Sequence, residues 1–421
     1  MYNKTILDNG LSIVTHAMPK MQSAALGIWI KAGGRYEPDE IKGISHFLEH
    51  LLFKGTKKYS CRKIKESIEG VGGLLNAFTS EELTCYLVKI PAGYLEKALD
   101  ILSDMVLNPS LPEPEVEKEK QVILEEIKMY KDQPQSYVYE LLDEIMWPGE
   151  PLGAPVIGTV NSVSRLVRKD LNSFKMSLYN PSNMIISAAG LLTHKKLSGL
   201  VKGIFSSPKK QAPNKFSPTI EGEPSQRLKI FYKDTEQTHL ALGFKSFKRD
   251  HPLRHALSLL HIILGANMSS RLFNEVREKR GLAYEIGTQV KRFQDTGAFI
   301  VHAGIDNQKA VPAVELILAE LKKIRDNPVS ADEFRRAREF YLGQLMLALE
   351  DTLDHMLWIG ETTASLNKTY SISDIIKEVN KISRQDIGKV AKEVFRVEKL
   401  RIALIGPLKD KEEALRQCRL Y

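Results

Sequence analysis

The chain has 421 residues, of which 43% are hydrophobic and 27% are charged, and its formal net charge at pH 7 is +8. This length and composition indicate a globular protein of two or three domains and exclude a disordered or fibrous chain. Basic and acidic residues are mixed along the sequence, so we interpret the positive charge as a solvated surface and expect no nucleic-acid partner.

The N-terminal residues 1–14 read MYNKTILDNGLSIV. Their alternating apolar pattern predicts a first β-strand, and they lack the apolar core and cleavage site of a secretion signal. No apolar run approaches the roughly 18 residues that a membrane-spanning helix needs. Cys61, Cys85 and Cys418 have unrelated spacings, which favour neither a disulfide framework nor a thiolate zinc site. We therefore expect a cytoplasmic protein with no membrane partner.

The predicted elements of the first half begin with an alternating strand, SAALGIWIKAG (23–33), and a helix containing SHFLEHLLF (45–53). A strand, LTCYLVKI (83–90), and an amphipathic helix, YLEKALDILSDMV (94–106), come next. A turn then leads into a helix rich in carboxylates, NPSLPEPEVEKEKQVILEEI (108–127).

The second half repeats this order of elements. A strand, THLALGFKSF (238–247), precedes an apolar helix, ALSLLHIIL (256–264). A strand, TGAFIVHAGI (296–305), precedes an amphipathic helix, AVPAVELILAELKKI (310–324). A turn and helix, NPVSADEFRRAREFYLGQL (327–345), complete the repeat. The matching positions lie roughly 213 to 219 residues apart, which indicates one duplicated unit and not a short-period solenoid.

The repeat predicts an α+β fold of two homologous domains, each a largely antiparallel sheet with helices packed against one face. We place the N-terminal domain at residues 1–205 and the C-terminal domain at 227–421. Residues 206–226 contain four prolines among polar residues and no amphipathic period, so we predict an interdomain linker there.

The stretch GISHFLEHLLFKGT (43–56) carries the pattern H-x-x-E-H. Residues four apart on a helix share one face, so His46 and His50 can direct a ring nitrogen at one metal ion. Glu49 lies next to them, where a carboxylate could take a proton from water. The alternative is a helix that carries surface histidines and an ordinary acid. The matching helix of the second half offers only His261, so we assign the chemistry to the first half.

A catalytic zinc usually has three protein ligands, and the carboxylate-rich helix supplies candidates for the third. Most of its acids are expected to form a solvated face. Glu126 lies seven residues after Glu119, so these two share one side of the helix. Glu126 could bind the metal while Glu119 accepts a hydrogen bond from a ligand histidine. Glu125 competes as the ligand, and helix geometry alone does not separate the two neighbours.

These residues resemble the pitrilysin–insulysin–mitochondrial processing peptidase family of inverted-motif zinc peptidases, in particular its bacterial two-domain type. In that family about 75 residues separate the second histidine from a distal glutamate ligand, and this spacing selects Glu126. The resemblance implies one Zn²⁺ per chain, held by His46, His50 and Glu126. It also implies that Glu49 is the general base and that Glu119 supports a ligand histidine.

Two further segments match family elements. The segment GVGGLLNAFTSEELTCYLVKI (70–90) is consistent with a hairpin that has a glycine turn, or with a sheet edge on which a peptide adds as a strand. The family match favours Asn76 and Ala77 as substrate contacts. In the second half, Arg277 and Tyr284 match an arginine–tyrosine element. The alternative is an exposed helix followed by a core tyrosine, which the same sequence would also fit. The match implies that they bind a substrate carbonyl and stabilise an oxyanion.

The resemblance spans nearly the whole chain and implies a zinc metalloendopeptidase that cleaves peptides or unfolded polypeptide segments inside a closed chamber. Some relatives carry four such units and this chain carries two, so we expect a homodimer in which Arg277 and Tyr284 face the partner subunit's zinc. The alternative is a non-catalytic partner or scaffold subunit of the same fold.

Overall fold

The structure is a computed structural model that describes residues 2–206, 215–220 and 226–418. Within these ranges the chain forms two β-sheets with helices packed on them. The strands in chain order are β1 (Tyr2–Ile6), β2 (Ser12–Ala17), β3 (Ser23–Ile30), β4 (Leu74–Thr79), β5 (Thr84–Pro91), β6 (Met184–Gly190), β7 (Leu228–Tyr232), β8 (Gln237–Ser246), β9 (Ala283–Arg292), β10 (Gly297–Asp306) and β11 (Leu400–Gly406).

The α-helices follow the predicted order and add several connecting helices. In chain order they are α1 (Ile44–Leu52), α2 (Cys61–Glu69), α3 (Leu95–Leu107), α4 (Glu113–Asp132), α5 (Pro134–Met146), α6 (Val160–Arg165), α7 (Arg168–Leu178), α8 (His194–Ile204), α9 (Arg254–Gly265), α10 (Ala310–Asp326), α11 (Ala331–Ala348), α12 (Thr352–Leu366), α13 (Ile372–Asn380), α14 (Arg384–Val394) and α15 (Glu412–Gln417).

The chain divides into two compact units that exchange segments between the halves of the sequence. The segments are Met1–Lys128, Pro155–Ser217 and Met346–Ser371 in unit 1, and Met129–Ala154, Pro218–Leu345 and Ile372–Tyr421 in unit 2. Helix α5 of the first half therefore belongs to unit 2, and helix α12 of the second half belongs to unit 1. The domain limits predicted at residues 205 and 227 do not include this exchange. Most of the predicted linker, 206–226, lies outside the described residues.

The sheet of unit 1 has the strand order β1-β2-β6-β3-β5-β4. Every pair is antiparallel except β2 with β6, as predicted for a largely antiparallel sheet. The N-terminal residues form two strands and not the single strand that we expected. Gly10, with φ of +91°, reverses the chain after Asn9, and Leu7 N–H bonds to Leu11 O at 2.9 Å. Strand β4 lies at one edge of this sheet.

The sheet of unit 2 has the order β7-β11-β8-β10-β9, again with one parallel pair, β7 with β11. This order repeats the order β2-β6-β3-β5-β4 of unit 1 strand for strand. The predicted duplication is therefore present in the topology. Edge strand β9 of unit 2 corresponds to edge strand β4 of unit 1.

Helices cover both faces of each sheet, so the expectation of one covered face is wrong. In unit 2, Leu240 and Phe244 of β8 belong to a core that includes α9, α10 and α14. The intervening Ala241 faces the other way and packs in a second core with Leu142 and Met146 of α5. The sequence prediction failed here because an amphipathic period shows that a helix is buried on one side, but not which sheet buries it.

Helix α12 covers the corresponding face in unit 1. Met356 of α12 belongs to one core with Trp29 of β3, while the alternate residue Ile28 is also fully buried on the other face. The contact is close at two glycines. A β-carbon on Gly360 would lie 2.1 Å from Trp29 Nε1, and one on Gly27 would lie 2.6 Å from Met356 Sδ. The Trp29 indole N–H also donates to Ser187 Oγ at 2.8 Å, so a shift of the ring would break this buried hydrogen bond.

The close packing of α12 predicts that Gly360→Ala destabilises the protein. Alanine in a helix interior normally stabilises by about 0.5–1 kcal/mol relative to glycine. At Gly360 the clash with Trp29 reverses this sign, and we expect a net loss of about 1–3 kcal/mol. Gly199→Ala in α8, where the added carbon would have no described atom within 4 Å apart from the adjoining backbone of its own helix, is the matched control and should be neutral or stabilising. Urea unfolding midpoints measure both. A Gly360→Ala variant as stable as Gly199→Ala would contradict the exchanged packing.

Candidate metal centre

Helix α1 begins at a glycine that is fixed from outside the helix. Gly43, the N-cap residue, has φ of +92°, in the left-handed region. As a glycine it has no side chain that could cap the first turn. Instead, the buried carboxylate of Glu37 accepts hydrogen bonds from Gly43 N–H at 2.7 Å and Ser45 N–H at 2.8 Å. Burial raises the pKa of Glu37, and these two hydrogen bonds oppose the rise. The start of α1 is therefore held at a fixed position by the two hydrogen bonds to the Glu37 carboxyl group.

Two helices of unit 1 bring His46, His50 and Glu126 together. Glu126 Oε2 of α4 lies 3.9 Å from His46 Nε2 and 3.7 Å from His50 Nε2. One donor atom from each of the three residues lies within 4.8 Å of the other two. Ligand atoms around one tetrahedral zinc, at bonds of about 2.0–2.2 Å, are roughly 3.4 Å apart, so small side-chain adjustments suffice to hold such an ion. The nitrogen and oxygen donors also suit zinc.

The carboxylates that compete with Glu126 point elsewhere. Glu125 is 71% exposed and pairs with Lys128 at 2.6 Å on the solvated side of α4. The structure thus separates the two neighbours that helix periodicity left open, and only Glu126 joins the histidines.

Two side chains, Glu119 and Lys54, orient His50. The buried Glu119 places Oε2 3.2 Å from His50 Nδ1, and its other oxygen, Oε1, pairs with Lys54 Nζ at 2.5 Å. A carboxylate at Nδ1 favours the tautomer with the proton on that nitrogen, which leaves the Nε2 lone pair free for a metal. Lys54 in turn compensates the charge of Glu119.

The protonation state of His46 also suits metal binding. Burial, with a smaller contribution from His50, lowers the pKa of His46 to about 4. Its imidazole is therefore neutral at neutral pH, and the neutral ring is the form that coordinates metals. Burial raises the pKa of Glu126, and His50 opposes this rise. The three donors thus have the chemistry and the spacing of a zinc site.

Glu49 lies beside this group and has one hydrogen-bond donor among the described residues. Thr79, the last residue of β4, donates its hydroxyl to Glu49 Oε2 at 2.5 Å. Burial raises the pKa of Glu49, whereas the Thr79 hydrogen bond and the nearby His50 lower it. The second oxygen of Glu49 accepts no hydrogen bond from the described protein groups, so it can accept one from a water molecule.

The predicted substrate contacts lie on the edge strand β4. Asn76 is exposed, Ala77 is half-buried, and the strand pairs with β5 on one side only. Asn76 Oδ1 accepts a hydrogen bond from Ala77 N–H at 2.9 Å. The two glycines before the strand do not form a hairpin turn. They follow helix α2, and Gly72 has φ of +78°, while Ser80–Leu83 forms the turn between β4 and β5.

Arg277 and Tyr284 are neighbours in unit 2. Arg277 belongs to a π-helical turn, Phe273–Glu278, and Tyr284 lies at the start of the edge strand β9. The Arg277 guanidinium lies 5.6 Å from the centre of the Tyr284 ring and 4.7 Å from that of Phe273. Tyr284 is 74% exposed, so it is not the core tyrosine of the alternative interpretation.

The helix of unit 2 that corresponds to α1 carries more histidine than we expected. Helix α9 begins at Arg254 and therefore includes His255 as well as His261. His255 bonds to Glu378 and Tyr341, and His261 Nδ1 lies 2.7 Å from Thr288 Oγ1. Both rings thus have protein partners, and neither belongs to a possible metal-binding group in the described part of unit 2.

Two protein-family models match consecutive parts of the chain. The model described as Insulinase (Peptidase family M16) matches residues 12–160, and the Peptidase M16 inactive domain matches residues 165–341. The chain belongs to peptidase family M16. The first match contains the H-x-x-E-H motif and the second covers sequence that lacks it, so the resemblance inferred from the motifs is confirmed.

Individual M16 relatives match over nearly their full length. The chain is 36% identical to the uncharacterised zinc protease YmxG of Bacillus subtilis, over 97% of this chain and 98% of that protein. It is also 36% identical to an uncharacterised zinc protease of Streptomyces coelicolor, over 97% and 90% of the two chains. A protease from Helicobacter pylori has a similar crystal structure, with a TM-score of 0.90 and 26% identity over 97% of this chain and 100% of that one.

Three site residues of this M16 chain were not predicted from the sequence. Lys54 lies one turn after His50, so helical spacing could have indicated it. Glu37 and Thr79 come from other elements, and no local spacing relates them to α1.

No helix in the described ranges is long and apolar enough to cross a membrane.

Proposed function

We propose that this M16 protein is a zinc-dependent endopeptidase that cleaves peptides or unfolded polypeptide segments. The observation that carries the proposal is the convergence of His46, His50 and Glu126, with the Glu49 carboxylate beside them. The Bacillus subtilis and Streptomyces coelicolor relatives are named zinc proteases, which agrees with this function.

In this proposal His46, His50 and Glu126 hold one zinc ion per chain, and Glu119 with Lys54 orients His50. When bound, zinc supplies a Lewis acid that polarises the scissile carbonyl and lowers the pKa of a water molecule. The neutral His46 ring, the His50 ring and the Glu126 carboxylate supply the three protein donors that a catalytic zinc usually has, so the site needs no further residue to bind the ion.

Glu49 is the proposed general base. Its free oxygen accepts a proton from the attacking water, and the carboxyl then delivers this proton to the leaving amine. The hydrogen bond from Thr79 occupies the other oxygen, so water and proton are handled at one atom. A carboxylate that accepts and then returns a proton lets one residue serve both steps of peptide hydrolysis.

The edge strand β4 is the proposed docking site for the substrate. An extended peptide can add to an unpaired edge through main-chain hydrogen bonds, and its affinity then depends little on side-chain sequence. Asn76 and Ala77 would supply these contacts, and the Asn76 side chain would have to leave Ala77 N–H. Only an extended segment can pair in this way, so folded proteins would be poor substrates.

The proposed active form is a homodimer that closes around the substrate. Arg277 and Tyr284 carry a positive charge and an exposed hydroxyl that could bind a substrate carbonyl and its developing oxyanion. We propose that this pair serves the zinc site of the partner subunit. A twofold dimer of this kind would contain two equivalent composite sites.

The mechanism predicts that Glu49→Gln removes peptide cleavage but leaves zinc bound. Loss of the general base should lower kcat by about 10²- to 10⁴-fold. Glu125→Gln is the matched control, because Glu125 lies on α4 next to Glu126 but faces solvent. This variant should cleave at the wild-type rate. Rates on a quenched-fluorescence peptide library, with and without chelator, measure these effects. Full activity in Glu49→Gln would contradict the mechanism, and a wild type that binds zinc without cleaving any peptide would favour the scaffold alternative.

The shared site predicts complementation between two inactive variants. Glu49→Gln lacks the base and Tyr284→Phe lacks the hydroxyl, yet a mixed dimer would contain one site with both groups intact. Mixing the variants under subunit exchange should restore activity to about one quarter of the wild-type rate. Mixed Glu49→Gln and His46→Ala, both defective in the same half of the site, should stay inactive. If Tyr284 acts on the zinc site of its own chain, no activity will return in either mixture.

A further inference from the structure

We propose that Thr79 positions the Glu49 carboxylate for proton transfer and so connects substrate docking on β4 to the acid–base step. This inference rests on the proposed peptidase function. It adds a positioning residue that neither the motif nor the family match indicates. Thr79 contacts the base through its hydroxyl and touches none of the three metal-ligand side chains through a hydrogen bond.

The contact is short and has no competitor among the described residues. Thr79 Oγ1 lies 2.5 Å from Glu49 Oε2, and no other described protein group donates a hydrogen bond to Glu49. A glutamate side chain on a helix has three rotatable bonds, and a single hydrogen bond at one oxygen restricts all of them. The bond therefore fixes where the other oxygen points, and that oxygen is the one available to water.

Thr79 is itself held in place by the turn that follows it. Ser80 N–H bonds to Leu83 O at 2.8 Å, which closes the turn between β4 and β5. The backbone of the segment 33–37 then binds this turn, because Arg35 N–H donates to Glu81 O at 2.8 Å. The buried Arg35 side chain also pairs with the buried Glu82 carboxylate at 2.8 Å. A β-carbon on Gly33 would lie 2.2 Å from Ser80 O, so this approach requires glycine.

The same segment fixes the start of α1. Glu37 lies two residues after Arg35 and binds the N–H groups of Gly43 and Ser45. One short stretch of chain therefore binds the turn next to Thr79 at one end and the helix that carries Glu49 at the other. Buried ion pairs and hydrogen-bonded carboxylates of this kind resist displacement, because separating the partners leaves a buried charge uncompensated. The separation between the hydroxyl and the base is thus set by the fold.

The position of Thr79 on the edge strand gives the contact its functional consequence. Asn76 and Ala77, the proposed docking residues, lie three and two positions before it on β4, respectively. A peptide that pairs with β4 would order this strand, and the last residue of the strand, Thr79, donates the hydrogen bond to Glu49. Because the Thr79 hydroxyl contacts Glu49, we expect its loss to affect the chemical step and not the binding of substrate.

Thr79→Val and Thr79→Ser test this role, because valine keeps the shape of threonine without the hydroxyl and serine keeps the hydroxyl. We expect Thr79→Val to lower kcat by up to about 100-fold, as small misplacements of catalytic groups do, with KM within about twofold of wild type. Thr79→Ser should restore most of kcat. Zinc content should be unchanged in both variants. Thr84→Val, which removes the hydroxyl of the residue paired with Thr79 on β5, is the matched control and should keep the wild-type kcat.

The inference fails if Thr79→Val retains the wild-type kcat, if it raises KM alone, or if Thr79→Ser is as slow as Thr79→Val. Unfolding midpoints of all variants identify losses that come from instability, and a slow Thr79→Val with a wild-type midpoint supports the proposal. A wild type without chelator-sensitive cleavage would overturn the proposed function as well. Normal wild-type cleavage with an unaffected Thr79→Val would overturn this inference alone.

Discussion

In the proposed site one nine-residue helix presents two metal ligands and a base in fixed directions, and the rest of the site depends on how that helix is held. Helix α1 is too short to be stable by its own hydrogen bonds. Its first turn, Glu49 and His50 each have a hydrogen-bond partner outside the helix. Glu37 binds its first turn, Thr79 binds Glu49, and Glu119 binds His50. The site is therefore a property of the packed unit and not of the H-x-x-E-H sequence alone.

The duplication shows the same point in the other unit. Helix α9 occupies the position of α1 in a sheet of matching strand order, and it contains two histidines. These rings bond to Thr288, Tyr341 and Glu378, and no described carboxylate completes a metal-binding group with them. The described part of unit 2 thus repeats the sheet order and has histidines on the corresponding helix, but it forms no such metal-binding group, because the side chains around these histidines differ. What unit 2 presents instead is the exposed Tyr284 on the edge strand that corresponds to β4.

Local patterns predicted much of this protein because they follow from the geometry of single elements. Strand alternation and helical periodicity placed β3, β5, α1 and α3, and the four-residue spacing placed His46 and His50 on one face. Glu126 required the family spacing, since helix geometry treats it and Glu125 alike until α4 packs against α1. Glu37 and Thr79 were missed because a hydrogen bond between distant segments leaves no period in the sequence. The exchange of α5 and α12 was missed for the same reason, since their partners are sheets of the other half.

Zinc content of purified protein tests the central claim most directly, because every proposed role depends on His46, His50 and Glu126 binding one ion. Elemental analysis after exhaustive dialysis should find one zinc per chain in the wild type and in Glu125→Gln, and far less in Glu126→Gln. Glu125 and Glu126 are adjacent and chemically identical, so the pair isolates geometry from charge. Full zinc retention in Glu126→Gln, or a wild type without stoichiometric zinc, would contradict the account.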